Sequence, residues 1–510
     1  MKERLKNFHH SAVFICLVLA IVLDVVLEAL GRHSLFKAIS YVWSQPLIFL
    51  YNCSIIFFTL TLSLLMRKRI FGYCVISFAW LILGITNCIV LGFRITPFSA
   101  IDMLMARNTI TIIDKYFNVW QIVLIAALLF VALAAIIVLF IKSPTVTGNI
   151  YRTRTTVFIV ATFFCVMLFT KIALNAQTIS DNFANLATAY NNYGFVYCFS
   201  NSVVDVGIGQ PSDYSEDKML EIKDDLDSVG TTDSKLGKDK PNVIFVQLES
   251  FMDPSYVKCL TFNENPIPNF TKLKEECTSG FLTMPAIGAG TANSEFEVLT
   301  GFNVAYFGAG EYPYKTILGK QTIESMATQL KLDGYSTHAM HNHDGTFYDR
   351  NTVFPQLGFE TFTSLEYMNN VETNEIGWAK DNVLISQIIE ILTGSESRDF
   401  IYTISVQGHG DYPADYEIKE DDITAEGEAI EEFKRPFTYY INEIHDMDKF
   451  VRNLIYALKG LNEPTVLVMY GDHLPAFDIT DDELEGGNTY TTQYVIWNNI
   501  DLKKVDEDIE

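Results

Sequence analysis

The first third of the chain consists of long apolar segments separated by short polar ones. Each segment reaches the ~20 residues that an α-helix needs to cross the hydrocarbon core of a bilayer. The apolar segments cover residues 11–31, 45–66, 72–93, 119–141 and 155–175. The pattern therefore predicts five membrane-spanning helices that form a transmembrane domain over residues 1–175.

After residue 175 the apolar segments are shorter and alternate with amphipathic ones. Residues 176–240 are mostly polar and predict a helical linker, which ends in the flexible, charged segment KDDLDSVGTTDSKLGKDKPN. From residue 241, β-branched segments such as NVIFVQLE and TVLVMYGDH alternate with amphipathic ones such as INEIHDMDKFVRNLIYALKG. This alternation predicts an α/β domain over residues 241–510, built on a mainly parallel sheet that helices cover on both faces.

Charge divides the chain at the same place. Residues 1–175 carry 15 Lys and Arg against 5 Asp and Glu, whereas residues 176–510 carry 22 against 56. The two parts therefore face different surroundings, one apolar and mildly basic, the other polar and strongly acidic. So acidic a chain lacks the general basic surface that nucleic-acid binding requires, and we expect no nucleic-acid partner.

The positions of Lys and Arg predict an orientation in the lipid bilayer. With a cytoplasmic N-terminus, nine of these residues lie in inner segments and five in outer loops, as the positive-inside rule favours. We therefore expect a multi-pass protein of the cell membrane with an extracellular linker and α/β domain. Asp24 and Glu28 share one face of the first span, and two interpretations stay open: a lipid or ion contact, or contact with interfacial water or Arg32.

Three predicted strands end in side chains that can bind a metal. Glu249 follows the strand NVIFVQL, His409 follows DFIYTISVQG, and Asp472 with His473 follows TVLVMYG. Because the carboxyl ends of parallel strands meet at one edge of a sheet, these side chains should lie close together. Carboxylate oxygens and imidazole nitrogens form a mixed ligand set that suits a divalent metal such as Mn²⁺ or Zn²⁺.

A Gly-rich segment supplies a candidate nucleophile. In TMPAIGAGTANSEFEVLTGFN, Gly288 and Gly290 let the backbone approach a substrate closely, and Thr291 opens a predicted helix. Free N–H groups at the start of a helix favour a phosphate beside this hydroxyl. The alternative is that Thr291 only caps the helix, and the local pattern leaves both interpretations open.

Five motifs together resemble the lipoteichoic acid synthase family, which comprises phosphoglycerol transferases of the sulfatase and alkaline-phosphatase-like superfamily. The motifs are LESF, GTANSEFEVLTG, HxHxxxxYxR, GHGDYP and YGDHLP. The family has five N-terminal membrane helices and an extracellular catalytic domain, so the resemblance implies an alkaline-phosphatase/sulfatase-like fold for residues 241–510. The chain ends about 35 residues after YGDHLP, where the family continues, so we expect a C-terminally truncated or short catalytic domain.

The resemblance also implies roles for individual residues. It implies one divalent metal, most often Mn²⁺ with Mg²⁺ or Zn²⁺ as alternatives, and Thr291 as the catalytic nucleophile. The implied metal ligands are Glu249, Thr291, Asp472 and His473. The implied contacts to phosphate or glycerol are Arg350, His341, His343, Tyr348 and His409. His343 and Tyr348 stand where the family can have aspartate and tryptophan, and His409 either carries a proton or only binds substrate.

The implied reaction moves glycerol phosphate from phosphatidylglycerol, through a phosphothreonine, to a glycolipid or a polyglycerophosphate chain. It belongs to lipoteichoic acid synthesis at a Gram-positive cell surface. A phosphoethanolamine or other head-group transferase, and a catalytically inactive synthase-like membrane protein, are the alternatives. A true sulfatase is disfavoured because the chain lacks the C/S-x-P-S-R context of a sulfatase nucleophile.

Overall fold

The computed structural model divides into two compact units. The first comprises Met1–Val206 with Gly308–Glu311, and the second comprises Gly207–Phe307 with Tyr312–Glu510. Part of the outer loop predicted before residue 118 and part of the predicted linker, including residues 229–239, lie outside the described residues. The structure describes residues 2–92, 96–103, 118–147, 150–180, 183, 186–204, 207–208, 214–228, 240–308 and 310–505.

The first unit is helical, and its long helices are apolar because each contains a long uncharged stretch. Among the residues that the structure describes, four segments are long and apolar enough to cross a membrane: Ala12–Gly31, Pro46–Leu65, Arg69–Val90 and Arg152–Asn175. The apolar helix Val119–Lys142 coincides with the remaining predicted span. Apolar helices therefore occur at all five predicted positions. The helices of this unit are α1 (Lys2–Gly31), α2 (Leu35–Ser44), α3 (Pro46–Thr61), α4 (Arg69–Val90), α5 (Val119–Lys142), α6 (Arg152–Asn175), α7 (Leu186–Tyr193) and α8 (Phe195–Val204).

Helix α8 lies in the segment that the sequence assigns to a polar linker, but it is apolar and buried in the first unit. Polar side chains of two spans bind its first turn. Glu28 accepts a hydrogen bond from the N–H of Phe195 at 2.9 Å, and Asn52 accepts one from the N–H of Tyr197 at 2.7 Å. Glu28 also pairs with Arg32 at 2.9 Å, so this carboxylate serves contacts within the protein.

The second unit is an α/β domain, as the sequence predicts. Within residues 240–308 and 310–505 its main sheet has seven strands in the order β3-β9-β8-β1-β6-β4-β5. Strands β8, β1, β6, β4 and β5 are parallel, while β9 runs antiparallel to both β8 and β3. The strands are β1 (Asn242–Leu248), β2 (Thr261–Phe262), β3 (Thr278–Thr283), β4 (Ser336–His341), β5 (Thr361–Ser364), β6 (Asp399–Ile404), β7 (Ala425–Glu426), β8 (Thr465–Gly471) and β9 (Thr491–Asn498).

Amphipathic helices separate these strands along the chain. All six residues of β6 are buried, which is typical of a parallel strand covered on both faces. The longest helix of the unit buries one apolar face over its whole length. The helices of this unit are α9 (Glu216–Ser228), α10 (Pro268–Glu276), α11 (Thr291–Thr300), α12 (Met326–Leu332), α13 (Arg350–Gln356), α14 (Asn382–Gly394) and α15 (Lys434–Leu461).

Candidate active site

The central strands of the sheet deliver the predicted side chains to one edge. Strand β1 lies between β8 and β6, so Glu249 at its end has Asp472 and His473 on one side. The segment after β6, which contains His409, lies on the other side of Glu249. His341 is the last residue of β4, the next strand outward. The topology therefore explains why residues distant in sequence converge here.

Glu249, Asp472 and His473 form a compact buried cluster. One ligand atom from each lies within 4.8 Å of the others. The Nε2 atom of His473 is 3.6 Å from Oε1 of Glu249 and 3.4 Å from Oδ2 of Asp472. Its Nδ1 lies 2.8 Å from the carbonyl of Leu474, to which it can donate, so Nε2 is the nitrogen that faces the carboxylates.

The donor atoms of this cluster fit a divalent cation. Oδ2 of Asp472 and Nε2 of His473 are buried and have no hydrogen-bond partner among the described residues. Burial and the adjacent charge of Glu249 raise the pKa of Asp472 well above its usual range. A cation would satisfy the unpartnered atoms and offset the repulsion between the two carboxylates.

Thr291 lies at this cluster and is not the N-cap of its helix. The N-cap is Gly290, whose φ of 105° is in the left-handed region that favours glycine, and Thr291 is the first residue of α11. Its hydroxyl donates a hydrogen bond to Oε2 of Glu249 at 3.1 Å. It also contacts Asp472, where it acts to lower the pKa of the carboxyl group. The interpretation that Thr291 only caps the helix is therefore wrong.

Small residues around Glu249 hold the cluster together, and no sequence pattern identified them. Ser250 has a φ of 51°, and its N–H donates to Oδ1 of Asp472 at 2.8 Å. Its hydroxyl donates to Oε1 of Glu249 at 3.2 Å. Gly408 lies so close that a Cβ atom there would be 2.3 Å from the carbonyl oxygen of Glu249. The LESF motif contains Ser250, but only its backbone conformation reveals this role.

Of the predicted substrate histidines, His341 and His343 are buried and His409 is half-buried. The Nδ1 atom of His341 is 3.0 Å from the carbonyl of Ile404, and its ring centroid is 5.7 Å from that of His343. Burial, followed by the charge of Arg350, lowers the pKa of His341 well below its usual range. Burial also lowers the pKa of His409, although the charge of Glu249 opposes this. Both imidazoles are therefore neutral at pH 7.

Trp378 connects two of these histidines and was missed in the sequence. Its ring centroid lies 4.5 Å from that of His409 and 5.3 Å from that of His343. The backbone N–H of Trp378 donates to Oδ1 of Asn374 at 2.8 Å, which fixes the surrounding loop. A single aromatic residue in the loop segment IGWAK carries no periodic signal, so only the tertiary structure identifies it.

Arg350 is buried, and its guanidinium is paired with Glu295. The Nε atom lies 3.2 Å from each carboxylate oxygen, and Nη2 makes a further short bond to Oε1. The Cζ atom of Arg350 lies 5.1 Å from the ring centroid of Tyr348. Tyr348 and Asp349 both have a φ of 58°, so two strained residues precede Arg350. The sequence did not predict the partner of Arg350.

Comparison with known proteins assigns the second unit to a family. The sequence profile described as sulfatase matches residues 241–509, more than half of the chain. A putative cyclic β-1,2-glucan modification protein of Rhizobium meliloti is 31% identical over 286 residues, which cover 56% of this chain and 43% of the relative. The lipoteichoic acid synthase of Staphylococcus saprophyticus is 24% identical over 245 residues, which cover 46% of this chain and 36% of the relative.

A solved structure agrees with the predicted fold. The phosphoglycerol transferase GacH of Streptococcus pyogenes, in complex with sn-glycerol-1-phosphate, has a TM-score of 0.53 and 26% sequence identity. The match covers 59% of this chain and 80% of that one. The chain spans less than half the length of the two curated relatives described above. The expected resemblance to lipoteichoic acid synthases and the sulfatase-like fold are confirmed.

Proposed function

The chain belongs to the sulfatase family, and from this premise we propose that it is a membrane-anchored phosphoglycerol transferase. In this proposal it takes glycerol phosphate from phosphatidylglycerol, holds it on Thr291, and passes it to a glycolipid or polyglycerophosphate acceptor. The single observation that carries the proposal is the hydroxyl of Thr291, bonded to Glu249 at 3.1 Å beside the buried atoms of Asp472 and His473.

The proposed cofactor is one divalent metal, most suitably Mn²⁺, with Mg²⁺ or Zn²⁺ as alternatives. Glu249, Thr291, Asp472 and His473 would hold it. When bound, such an ion lowers the pKa of a coordinated hydroxyl and neutralises negative charge on phosphate oxygens. The unpartnered atoms of Asp472 and His473 support this assignment because both are buried and both face the cluster.

In the first step, the Thr291 oxygen attacks phosphorus and the bond from phosphorus to the diacylglycerol oxygen breaks. The proton lost by Thr291 ends on the diacylglycerol oxygen. In the second step, an acceptor hydroxyl attacks phosphorus, the bond to Thr291 breaks, and the acceptor's proton returns to Thr291. His409 suits a proton carrier because a neutral imidazole has one N–H and one unprotonated nitrogen, and burial keeps its pKa low.

The remaining side chains bind and orient the substrate in this proposal. Arg350 contacts phosphate oxygens, and His341 and His343 contact glycerol hydroxyls. Tyr348 stacks under Arg350, with the guanidinium carbon 5.1 Å from its ring centroid. Because these residues are buried together, they exclude water that would otherwise hydrolyse the phosphothreonine.

The donor class also agrees with the proposed location. In this proposal the cell is Gram-positive, and the cytoplasmic N-terminus that the bias of Lys and Arg favours puts the sulfatase unit on its outer surface. No cytoplasmic nucleotide reaches that surface, so the substrate has to carry its own leaving group. Phosphatidylglycerol does so, because diacylglycerol leaves with the ester oxygen.

The experiment is a donor assay on the full chain in detergent micelles. We expect diacylglycerol release from labelled phosphatidylglycerol, little release from phosphatidylethanolamine, and a loss of at least about 10³-fold in Thr291→Ala. The matched control is Thr300→Ala, which removes a hydroxyl at the other end of α11, where it donates to the carbonyl of Phe296 and accepts the N–H of Phe302. Release from phosphatidylethanolamine alone, or unchanged release in Thr291→Ala, would contradict the proposal.

A further inference from the structure

We propose that Glu295 is a positioning residue of the transferase site, which holds the Arg350 guanidinium by one edge and so presents the other edge to the substrate phosphate. The inference rests on the proposed function only in that the substrate carries a phosphate. It holds for a phosphoglycerol and for a phosphoethanolamine donor alike.

Glu295 belongs to the same helix as the proposed nucleophile. It lies four residues after Thr291 in α11, which is one helical turn and therefore the same face. Its side chain is fully buried. The charge of Glu249 acts on the Glu295 carboxyl group, as expected for two residues that share a neighbourhood. One helix therefore carries both the nucleophile and the residue that binds Arg350.

The hydrogen bonds of Arg350 leave one edge of its fork available. A guanidinium has five N–H bonds in one plane. Glu295 accepts hydrogen bonds from the N–H of Nε and from one N–H of Nη2. Nη1 donates one long hydrogen bond of 3.5 Å to the carbonyl of Phe347. Within the described residues, one N–H on each Nη atom remains. Two N–H bonds on neighbouring nitrogens of one guanidinium can bind two phosphate oxygens at once.

Tyr314 fixes the carboxylate from its other side. Its hydroxyl donates to Oε2 of Glu295 at 3.0 Å, and its ring is fully buried and packs at an edge against Phe354. Glu295 therefore has donors on both of its oxygens and cannot rotate without losing them. The orientation of Arg350 follows from that of Glu295, because two parallel bonds fix the plane of the guanidinium.

Arg350 lies close to proposed substrate residues, since its Cζ atom is 5.1 Å from the ring centroid of Tyr348 and its charge acts on His341. The charge of Arg350 is the largest cause, after burial, of the lowered pKa of His341, which also senses His343 and His409. A buried ion pair is weak evidence for a purely stabilising role, because an apolar pair of similar volume often stabilises as well. The backbone strain at Tyr348 and Asp349 just before Arg350 is of the kind that clusters at functional sites.

The test is a double-mutant cycle on the full chain in detergent micelles, with kcat and KM measured for whichever phospholipid donor is active. We expect Glu295→Asp, which withdraws the carboxylate by one methylene, to lower kcat/KM by about 10²-fold when Arg350 is present. In the Arg350→Lys background the same substitution should cost less than about 3-fold, because an ammonium has no fork to orient. Equal fold-changes in both backgrounds would overturn the proposal.

Two further variants keep the test decisive. Glu297→Asp changes the same residue type on the same helix, where the carboxylate accepts a hydrogen bond from the N–H of Val304. It should lower kcat/KM by the same factor in the Arg350 and Arg350→Lys backgrounds. If Glu295→Asp does not fold, Tyr314→Phe replaces it in the cycle, because it removes only the donor at 3.0 Å from Glu295. We expect Tyr314→Phe to lower kcat/KM about 5-fold when Arg350 is present and not to lower it in the Arg350→Lys background. Equal losses of kcat/KM in the two backgrounds would contradict the proposal.

Calorimetric titration separates this inference from the donor assignment. Inorganic phosphate and sn-glycerol-1-phosphate are the probes, and neither needs an active donor. We expect both to bind about 10-fold more weakly to Glu295→Asp and unchanged to Glu297→Asp. Unchanged binding to Glu295→Asp would overturn the positioning role even if phosphatidylglycerol proves to be the donor, and weakened binding supports it even if no phospholipid is cleaved.

Discussion

At the scale of single residues, burial decides which carboxyl groups are charged. Asp381 is fully buried. Its Oδ1 atom accepts a hydrogen bond from Nδ2 of Asn342 at 2.9 Å, and further ones from the N–H groups of Val406 and Gln407 at 3.3 Å. These bonds join the segment after β4 to the segment after β6. Burial raises the pKa of Asp381 to about 7, although these hydrogen bonds oppose the shift.

This raised pKa predicts a pH dependence of folding. An unfolded aspartate has a pKa of about 3.9, so between about pH 4 and pH 7 the folded protein binds the extra proton. The contribution of Asp381 to the free energy of unfolding should therefore fall as the pH rises through this range and stay level above it. Thermal unfolding in detergent at several pH values measures it.

The matched variants separate Asp381 from other carboxyl groups. Asp381→Asn should remove the fall in the free energy of unfolding between about pH 4 and pH 7 that Asp381 causes. Asp421→Asn, at an exposed position, should keep the wild-type dependence of the free energy of unfolding on pH. A slope that is the same in wild type and Asp381→Asn would show that burial does not perturb this carboxyl group in the folded protein.

The convergence of the proposed metal ligands could be predicted at the residue scale, but the contacts that support them could not. Glu249, Asp472 and His473 each follow a strongly patterned strand, so the parallel topology alone brings them to one edge. Glu295 and Trp378 act through contacts between segments that are remote in sequence. No local pattern encodes such contacts, because they depend on how the loops after β4 and β6 fold together.

At the scale of elements, the parallel core agrees with its sequence pattern, whereas the edge does not. Strands β1, β6 and β8 are apolar and β-branched because helices cover both faces of the sheet. Strand β3 has the mixed sequence TSGFLT, and its pairing with β9 satisfies its backbone. Such an edge strand depends on its partner more than on propensity, so sequence alone gave little indication of it.

The turn after β6 provides a prediction at this scale. Gly408→Ala should lower activity by at least about 10²-fold, because its Cβ would lie 2.3 Å from the carbonyl oxygen of Glu249 and would displace a proposed metal ligand. Gly410→Ala is the matched control, since a Cβ there has no atom of the described residues within 4 Å. The donor assay measures both. Full activity of Gly408→Ala would show that the segment of Glu249 tolerates displacement.

At the scale of the whole molecule, the chain combines a helical unit made of apolar spans with a sulfatase unit. Composition changes near residue 175, whereas the first unit continues through helices α7 and α8 to Val206. The sequence hid this extension because α8 is short and its polar partners Glu28 and Asn52 lie in spans far away in sequence. Its apolar residues were therefore not recognised as core.

The proposed orientation can be tested with a native thiol. Cys259 is free and exposed in the sulfatase unit. We expect an impermeant maleimide to label it in intact cells, and Cys259→Ser to remove that label. In the Cys259→Ser background, Thr147→Cys, an exposed position between α5 and α6, should label only after permeabilisation. Labelling of Thr147→Cys in intact cells together with protection of Cys259 would reverse the orientation.

The central claim is that the hydroxyl of Thr291 becomes covalently bonded to the glycerophosphoryl group. Mass spectrometry of the full chain, incubated with phosphatidylglycerol and Mn²⁺ without an acceptor, tests it most directly. We predict a glycerophosphoryl group on the peptide that contains Thr291, and none in Thr291→Ala. Diacylglycerol release with an unmodified Thr291, or the same group on another residue, would contradict the account.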